Sequence, residues 1–265
     1  MSAPPRRRIV GVSTKMYFSA AKTKQYVDDL LRELSQSHPG PSSSASSSST
    51  LSDVDIFIIP DHVTLTSVIA QLQSSPVPIL TGAQDAHHED TGAFTGEVSP
   101  AVLAEVGCRI VELGHAERRR LFGETDTDAA LKAAAAARNG LVPLVCVGER
   151  TRGETSIAVD ECGAQVAAVM AAVPDGADVV LAYEPVWAIG AAEPAGADHV
   201  VAVTRRIREL PCVTRRKGTT RLLYGGSAGP GLFAKLKDGV DGLFLGRFAH
   251  DPKQFYKTIL EVASA

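Results

Sequence analysis

Short apolar runs alternate with amphipathic stretches along almost the whole chain. The apolar runs are rich in β-branched residues and are apolar on both faces, as parallel strands covered by helices must be. They lie at residues 8–12, 55–59, 78–83, 109–113, 142–147, 179–183, 221–224 and 242–245. The segments between them have helical periodicity, for example at 20–34, 128–138, 155–172, 198–210 and 252–263.

Eight strand-helix units in a chain of 265 residues are typical of a closed (β/α)8 barrel that forms a single domain. A doubly wound sheet is the competing fold. It is disfavoured because no Gly-x-Gly-x-x-Gly motif follows the first strand. Since a (β/α)8 barrel builds its site at the carboxyl ends of its strands, candidate chemistry is sought there.

One segment departs from the pattern. Residues 39–50 are almost entirely serine, apart from Pro and Gly at the start, and have nothing to bury. We expect a disordered surface loop inserted in the barrel domain. A phosphorylated regulatory segment is the alternative.

The overall composition excludes several classes of protein. The net charge of −3 does not indicate a nucleic-acid partner, and no apolar stretch reaches the roughly 18 residues that a membrane span needs. The N-terminus lacks the apolar core of a signal peptide. The four cysteines are too scattered for a disulfide framework or a Cys-x-x-Cys metal site, so we expect a cytoplasmic protein with free thiols.

Polar side chains that can do chemistry follow several of the strands. Lys15 follows the first, His115 the fourth and Glu184 the sixth. His115 opens a short helix, whose N-terminus disfavours protonation, so its imidazole is expected to be neutral. Backbone amides after the last two strands are where such barrels hold a phosphate, and these strands end in Gly-Gly-Ser at 225–227 and Gly-Arg at 246–247. The set indicates proton abstraction next to a carbonyl in a small sugar phosphate.

Several longer motifs resemble the triosephosphate isomerase family. In chain order they are Gly-Ala-Phe-Thr-Gly-Glu at 92–97, Leu-Gly-His-Ala-Glu-Arg-Arg at 113–119, Cys-Val-Gly-Glu at 146–149, Ala-Tyr-Glu-Pro-Val-Trp-Ala-Ile-Gly at 182–190 and Tyr-Gly-Gly-Ser at 224–227. The resemblance implies a TIM barrel in which Glu184 is the base that moves a proton between two carbons. It also implies that His115 polarises the carbonyl and that Lys15 stabilises the enediolate and the phosphate.

The resemblance implies further residues and partners. Substrate would be bound by Ser13, Lys15, Gly190, Ser227, Gly246 and Arg247. A mobile lid would comprise Pro185, Val186, Trp187, Ala188, Ile189, Gly190, Ala191, Ala192, Glu193, Pro194 and Ala195. Glu97 would pair with Arg118 to order the third loop, and residues 85–97 would insert into a second copy to form a homodimer. Glu149 resembles a buried or paired acid, and neither a cofactor nor a metal is implied.

The sequence departs from the family pattern in and beside the pocket. Ser13 stands where the family has Asn, Thr14 where it has Trp, Ala116 where it has Ser and Arg247 where it has Gly, while Ala-Ala-Glu replaces Thr-Gly-Lys at 191–193. Arg247 could add a bidentate phosphate contact that the glycine of the family pattern cannot make.

Two substrates therefore stay open. One is the triose pair glyceraldehyde 3-phosphate and dihydroxyacetone phosphate of glycolysis and gluconeogenesis, which is preferred as the family's commonest activity. The other is a four-carbon ketose phosphate such as L-erythrulose 1-phosphate. A non-catalytic phosphate-binding relative is disfavoured. Such a protein would need no general base, but this chain retains Glu184 together with His115 and Lys15. An aldolase that forms a Schiff base with Lys15 is favoured even less than this non-catalytic relative.

Overall fold

The computed structural model describes residues 7–36, 51, 53–189 and 195–265. The predicted disordered loop at 39–50 lies outside the described residues. Residues 190–194, in the second half of the predicted lid, lie outside them as well.

Eight strands form a closed parallel barrel in which each strand pairs with its neighbours in the sequence and β8 pairs with β1. The strands are β1 Arg8–Ser13, β2 Val54–Ile59, β3 Ile79–Ala83, β4 Ile110–Leu113, β5 Val142–Val147, β6 Val179–Tyr183, β7 Thr220–Tyr224 and β8 Gly242–Leu245. This confirms the predicted single-domain (β/α)8 barrel. All carboxyl ends of the strands consequently open on the same end of the barrel.

Helices cover the outside of the barrel. They are α1 Ala20–Gln36, α2 Leu65–Leu72, α3 Pro100–Glu105, α4 Ala116–Phe122, α5 Asp126–Arg138, α6 Thr155–Ala172, α7 Ala197–Glu209, α8 Pro211–Thr214, α9 Phe233–Leu236 and α10 Pro252–Ala263. Short 3-10 turns occur at His62–Thr64, Val186–Ala188 and Arg247–His250. None of the helices in the described part of the chain is long and apolar enough to cross a membrane.

The predicted helix at 128–138 begins two residues earlier in the structure, at Asp126. The reason is a capping box. The Thr125 hydroxyl accepts a hydrogen bond from the backbone N–H of Asp128, and the Asp128 carboxylate accepts one from the backbone N–H of Thr125. The boundary is thus set by two side chains and not by the start of the apolar periodicity.

The core has two layers. Side chains that point into the barrel form a small inner cluster, which includes Phe57, Leu144 and Phe244. A larger cluster fills the space between the strands and the helices. The inner layer needs a glycine at Gly11, because a Cβ there would overlap the ring of Phe57. The packed interior closes the barrel floor beneath the carboxyl ends of the strands.

A buried ion-pair cluster fixes the loop after β3. Asp85 lies 2.7 Å from Nε of Arg118 and 2.9 Å from Nζ of Lys132, which also contacts Glu124. Within the described residues of the single chain, Arg118 therefore pairs with Asp85, and its pairing with Glu97 stays a prediction. Glu97 is exposed and takes part in no ion pair with the residues that the structure describes. Asp85 is buried and lies next to both Arg118 and Lys132.

Lys132→Met should lower the free energy of unfolding by about 3 kcal/mol, since it leaves two buried carboxylates with less compensating charge. Denaturant unfolding measures this loss. Arg206→Met is the control: Arg206 and its partner Glu209 have side chains 68% and 73% exposed. This control should cost less than about 1 kcal/mol. Equal losses in the two variants would contradict the structural role of the buried cluster.

Candidate active site

A cavity of about 470 Å³ opens at the carboxyl ends of the strands. Its lining includes seven of the residues predicted to bind substrate or to catalyse: Ser13, Lys15, His115, Glu184, Ser227, Gly246 and Arg247. Gly190, the remaining predicted binding residue, lies outside the described residues. The structure thus brings together side chains that are far apart in sequence, because each follows or ends a strand of the closed barrel.

Glu184 directly follows β6, and its backbone N–H donates a 2.8 Å hydrogen bond to the carbonyl of Val147 on β5. Its carboxyl group is 3% exposed. Gly225 makes room for it, because a Cβ at that position would lie 2.6 Å from Oε1 of Glu184. Burial, together with the nearby Glu112 carboxyl, raises the pKa of Glu184 to about 8, although the Lys15 charge lowers it. Such a group can exchange protons near neutral pH, as a general base must.

His115 is the N-cap of α4, and its ring orientation is set by the backbone. Nδ1 accepts a 3.1 Å hydrogen bond from the N–H of Glu117. In the neutral imidazole the proton is therefore on Nε2, which lies 3.5 Å from Oε2 of Glu184. Burial and the Lys15 charge lower the pKa of His115 to about 4. The imidazole is neutral, as the sequence predicted, but burial is the largest cause.

Lys15 is held in an unusual backbone conformation. Its φ of 48° makes it the one non-glycine residue with a positive φ in the described part of the chain. The side-chain amide of Gln84 donates a 2.9 Å hydrogen bond to its carbonyl, and its Nζ lies 2.8 Å from Oε1 of Glu117. Burial alone would lower the pKa of Lys15, but the hydrogen bond to Glu117 and the surrounding carboxylates raise it overall. The residue is a fixed cation at the pocket wall.

Glu112 is a functional candidate that the sequence analysis missed. It lies on β4 with its side chain 4% exposed, and it lines the same cavity as Glu184. The hydroxyl of Ser13 donates a 3.0 Å hydrogen bond to its Oε2. Burial raises the pKa of Glu112 to about 7. The available signal was an acidic residue inside a strand whose other residues are Ile, Val and Leu.

The far side of the cavity is formed by the ends of β7 and β8. Within the described part of the chain, no hydrogen bond engages the backbone N–H of Ser227 or of Gly246. Arg247 is exposed and lines the cavity next to them. Amides at the ends of these two strands are the usual phosphate contacts of such barrels, so this side is suited to an anion.

Both ends of the predicted lid are tied to the barrel. At its start, Trp187 Nε1 donates a 2.8 Å hydrogen bond to Glu149, which also accepts one of 3.1 Å from the Tyr183 hydroxyl. At its end, the N–H of Ala195 donates to the hydroxyl of Tyr224 at 3.3 Å. Glu149 is therefore the buried, paired acid that the sequence predicted, at 1% exposure. These contacts hold the two lid ends next to Glu184.

A parallel (β/α)8 barrel with a buried carboxyl group, a neutral imidazole and a lysine at its mouth is typical of enzymes that move protons on small phosphorylated carbonyl compounds. The sequence model of the triosephosphate isomerase family matches residues 8–262. The chain belongs to this family, and it is an isomerase.

Relatives in the family carry two different names. An L-erythrulose-1-phosphate isomerase of Pectobacterium atrosepticum is 49% identical over 255 residues, which cover 94% of this chain and 93% of that protein. An L-erythrulose-1-phosphate isomerase of Rhizobium meliloti is 38% identical over 97% of both chains. A triosephosphate isomerase of Aquifex aeolicus is 34% identical over 96% of this chain and 98% of its own length. The similarity extends over essentially the whole barrel in each case.

Glu184→Gln should raise the melting temperature at about pH 9 by a few degrees and leave it nearly unchanged at about pH 5. The pKa of Glu184 is raised from 4.5 to about 8 by folding. The stability contributed by the protonated group is therefore complete below pH 4.5 and is lost as the pH rises through about 8. The amide does not ionise, so it avoids this loss.

Thermal unfolding across this pH range measures the effect. Glu209→Gln is the matched control, because the Glu209 side chain is 73% exposed and should follow the wild type at every pH. A difference between Glu184→Gln and the wild type that does not change with pH would rule out an ionising buried carboxyl at this position.

Proposed function

We propose that this isomerase acts on a four-carbon ketose phosphate of the L-erythrulose 1-phosphate type by proton transfer through an enediolate. The observation that carries the reaction type is the 3.5 Å approach of buried Glu184 to the protonated Nε2 of His115, inside a cavity with an anion-binding side. The substrate is supported by the relatives: the one that is 49% identical bears the erythrulose name, whereas the triosephosphate isomerase of Aquifex aeolicus is 34% identical.

The chemistry of that substrate sets the steps. L-Erythrulose 1-phosphate has its carbonyl at C2, between the phosphorylated C1 and a C3 that carries hydrogen, hydroxyl and hydroxymethyl. The Glu184 carboxylate removes the C3 proton, the electron pair moves toward the C2 oxygen, and Nε2–H of His115 donates a hydrogen bond to that oxygen. His115 then gives its Nε2 proton to the C2 oxygen and takes up the proton of the C3 hydroxyl, and return of the proton from Glu184 to C2 leaves the carbonyl at C3.

This changes the class of product. With a triose, the same shift converts a ketose into an aldose, as between dihydroxyacetone phosphate and glyceraldehyde 3-phosphate. With L-erythrulose 1-phosphate, the new carbonyl is flanked by carbon on both sides, so the product is again a ketose. The comparisons favour this four-carbon alternative over the triose that the sequence analysis preferred.

The remaining groups of the cavity have distinct roles in this proposal. The cation of Lys15, which is paired with Glu117 in the free site, stabilises the enediolate and the phosphate. The amides after β7 and β8 and the exposed Arg247 hold the phosphate. Closure of the lid between Trp187 and Ala195 excludes water, which strengthens each of these interactions and protects the enediolate.

We also propose a homodimer formed through the loop at 85–97. Phe94 in this loop is 43% exposed, and its ring lies 4.2 Å from that of His87. An exposed aromatic on a well-tethered loop is suited to a protein partner. Analytical ultracentrifugation tests this proposal: a dimer for the wild type and a shift toward monomer for Phe94→Asp are expected. A wild-type monomer would contradict it.

A side-by-side assay tests the substrate. We expect kcat/KM for L-erythrulose 1-phosphate to exceed that for dihydroxyacetone phosphate by at least about tenfold, since a site built to bind a hydroxyl disfavours a substrate lacking it. A kcat/KM about tenfold higher for dihydroxyacetone phosphate than for L-erythrulose 1-phosphate would overturn the proposed substrate.

Glu184→Gln tests the mechanism. It should lower kcat by about a thousandfold, because an amide cannot accept the proton. Glu209→Gln, at the exposed end of α7, should retain normal activity. Near-normal activity of Glu184→Gln would remove Glu184 from the mechanism, whichever substrate is used.

A further inference from the structure

Glu112 is expensive to bury, and nothing in the fold requires it. It lies in the four-residue strand β4, where it faces the barrel interior like Ile110, which belongs to the inner apolar cluster. A carboxyl group in such a place costs free energy unless it is well paired. Its partner is the Ser13 hydroxyl, a neutral group. An apolar side chain at this position would avoid the desolvation cost of the carboxyl group. A role in the cavity therefore explains the presence of Glu112 better than packing does.

The position of Glu112 relative to the catalytic groups is specific. Its Oε2 accepts the hydrogen bond from Ser13, while its Oε1 lies 4.0 Å from Nε2 of His115. That distance is too long for a hydrogen bond, so Oε1 does not orient the ring. Nε2 is the atom that contacts the reacting oxygens. Oε1 of Glu112 is therefore close enough to contact a substituent on the carbons between which the proton is moved.

Glu112 also lies on the correct side of the cavity. In the closed ring of eight strands, β4 is directly opposite β8, whose end carries Gly246 and Arg247. A substrate whose phosphate is held at β7 and β8 extends across the mouth toward β4. Its carbons farthest from the phosphate then approach Glu112. In a triose phosphate that end is the reacting carbon itself, whereas in a tetrulose phosphate it carries a further hydroxymethyl group.

We propose that Glu112, held in place by Ser13, determines the specificity of this site by hydrogen-bonding the hydroxymethyl group by which a tetrulose phosphate exceeds a triose phosphate. Ser13 and Glu112 line the same cavity, so both can face the hydroxymethyl group of a bound tetrulose phosphate. The inference rests on the proposed four-carbon substrate and adds the residue that recognises it.

The chemistry fits either protonation state of Glu112. The carboxylate accepts a hydrogen bond from the hydroxymethyl O–H, and the protonated carboxyl group still offers its carbonyl oxygen as an acceptor. Ser13 remains bound to Oε2 in both cases. Since a triose phosphate lacks the hydroxymethyl group, it leaves this acceptor without a partner in a buried place, which disfavours the shorter substrate.

Two variants of Glu112 test the proposal, each assayed with L-erythrulose 1-phosphate and with dihydroxyacetone phosphate. Glu112→Met keeps the unbranched shape and removes the polar group. It should lower the ratio of kcat/KM for the four-carbon substrate to kcat/KM for the triose by about tenfold to a hundredfold, mainly through KM for the four-carbon substrate. Glu112→Gln keeps an acceptor oxygen and should lose less than Glu112→Met with the four-carbon substrate.

The outcomes separate this inference from the proposed function. The wild-type preference decides the substrate, and the ratio between the two substrates in the variants decides the role of Glu112. Equal losses on both substrates would show that Glu112 acts through Glu184 or His115, and no loss on either would show that it touches no substrate. Both results would overturn the inference. Circular dichroism and thermal unfolding verify that Glu112→Met is folded, and Glu112→Gln provides the same comparison if it is not.

Discussion

The exclusion of the Glu184 carboxyl group from water is the constraint on which the rest of the site depends. A buried carboxyl holds its proton more tightly than one in water, and the pKa of about 8 is the direct consequence. The burial requires a glycine at Gly225, where a side chain would overlap the carboxyl group. The nearby Lys15 cation acts against the effect of burial, since its charge lowers the pKa of Glu184 and so favours the ionised form.

The same desolvation acts on the two groups that face Glu184. It keeps His115 neutral, so the ring offers a hydrogen bond instead of a charge, and it raises the pKa of Glu112 toward neutrality. The cavity is accordingly divided into two sides. Backbone amides and Arg247 form the anion side at β7 and β8, while the opposite wall at β4 presents a carboxyl group. A phosphorylated chain with a hydroxyl at its far end matches both sides.

The sequence predicted the barrel well because each strand, such as Val179–Tyr183, is an apolar run with helical segments on either side. His115 and Glu184 were also predictable, since their motifs place them directly after a strand. Glu112 was missed because a single acid within Ile-Val-Glu-Leu does not reveal which face of the strand it occupies. The pairing of Arg118 with Asp85 was not predicted, because which acid reaches Arg118 depends on the path of the loop after β3. Such choices are made by tertiary contacts that no local pattern encodes.

In the proposed reaction, Glu184 moves a proton between the two central carbons of a four-carbon ketose phosphate. The most direct measurement is proton NMR of L-erythrulose 1-phosphate during turnover in deuterium oxide. Deuterium from the solvent is expected to replace hydrogen at C3 of the substrate and to appear at C2 of the product, and Glu184→Gln should slow this exchange together with turnover. Turnover with complete retention of the original hydrogen would indicate a hydride shift and contradict proton transfer by Glu184.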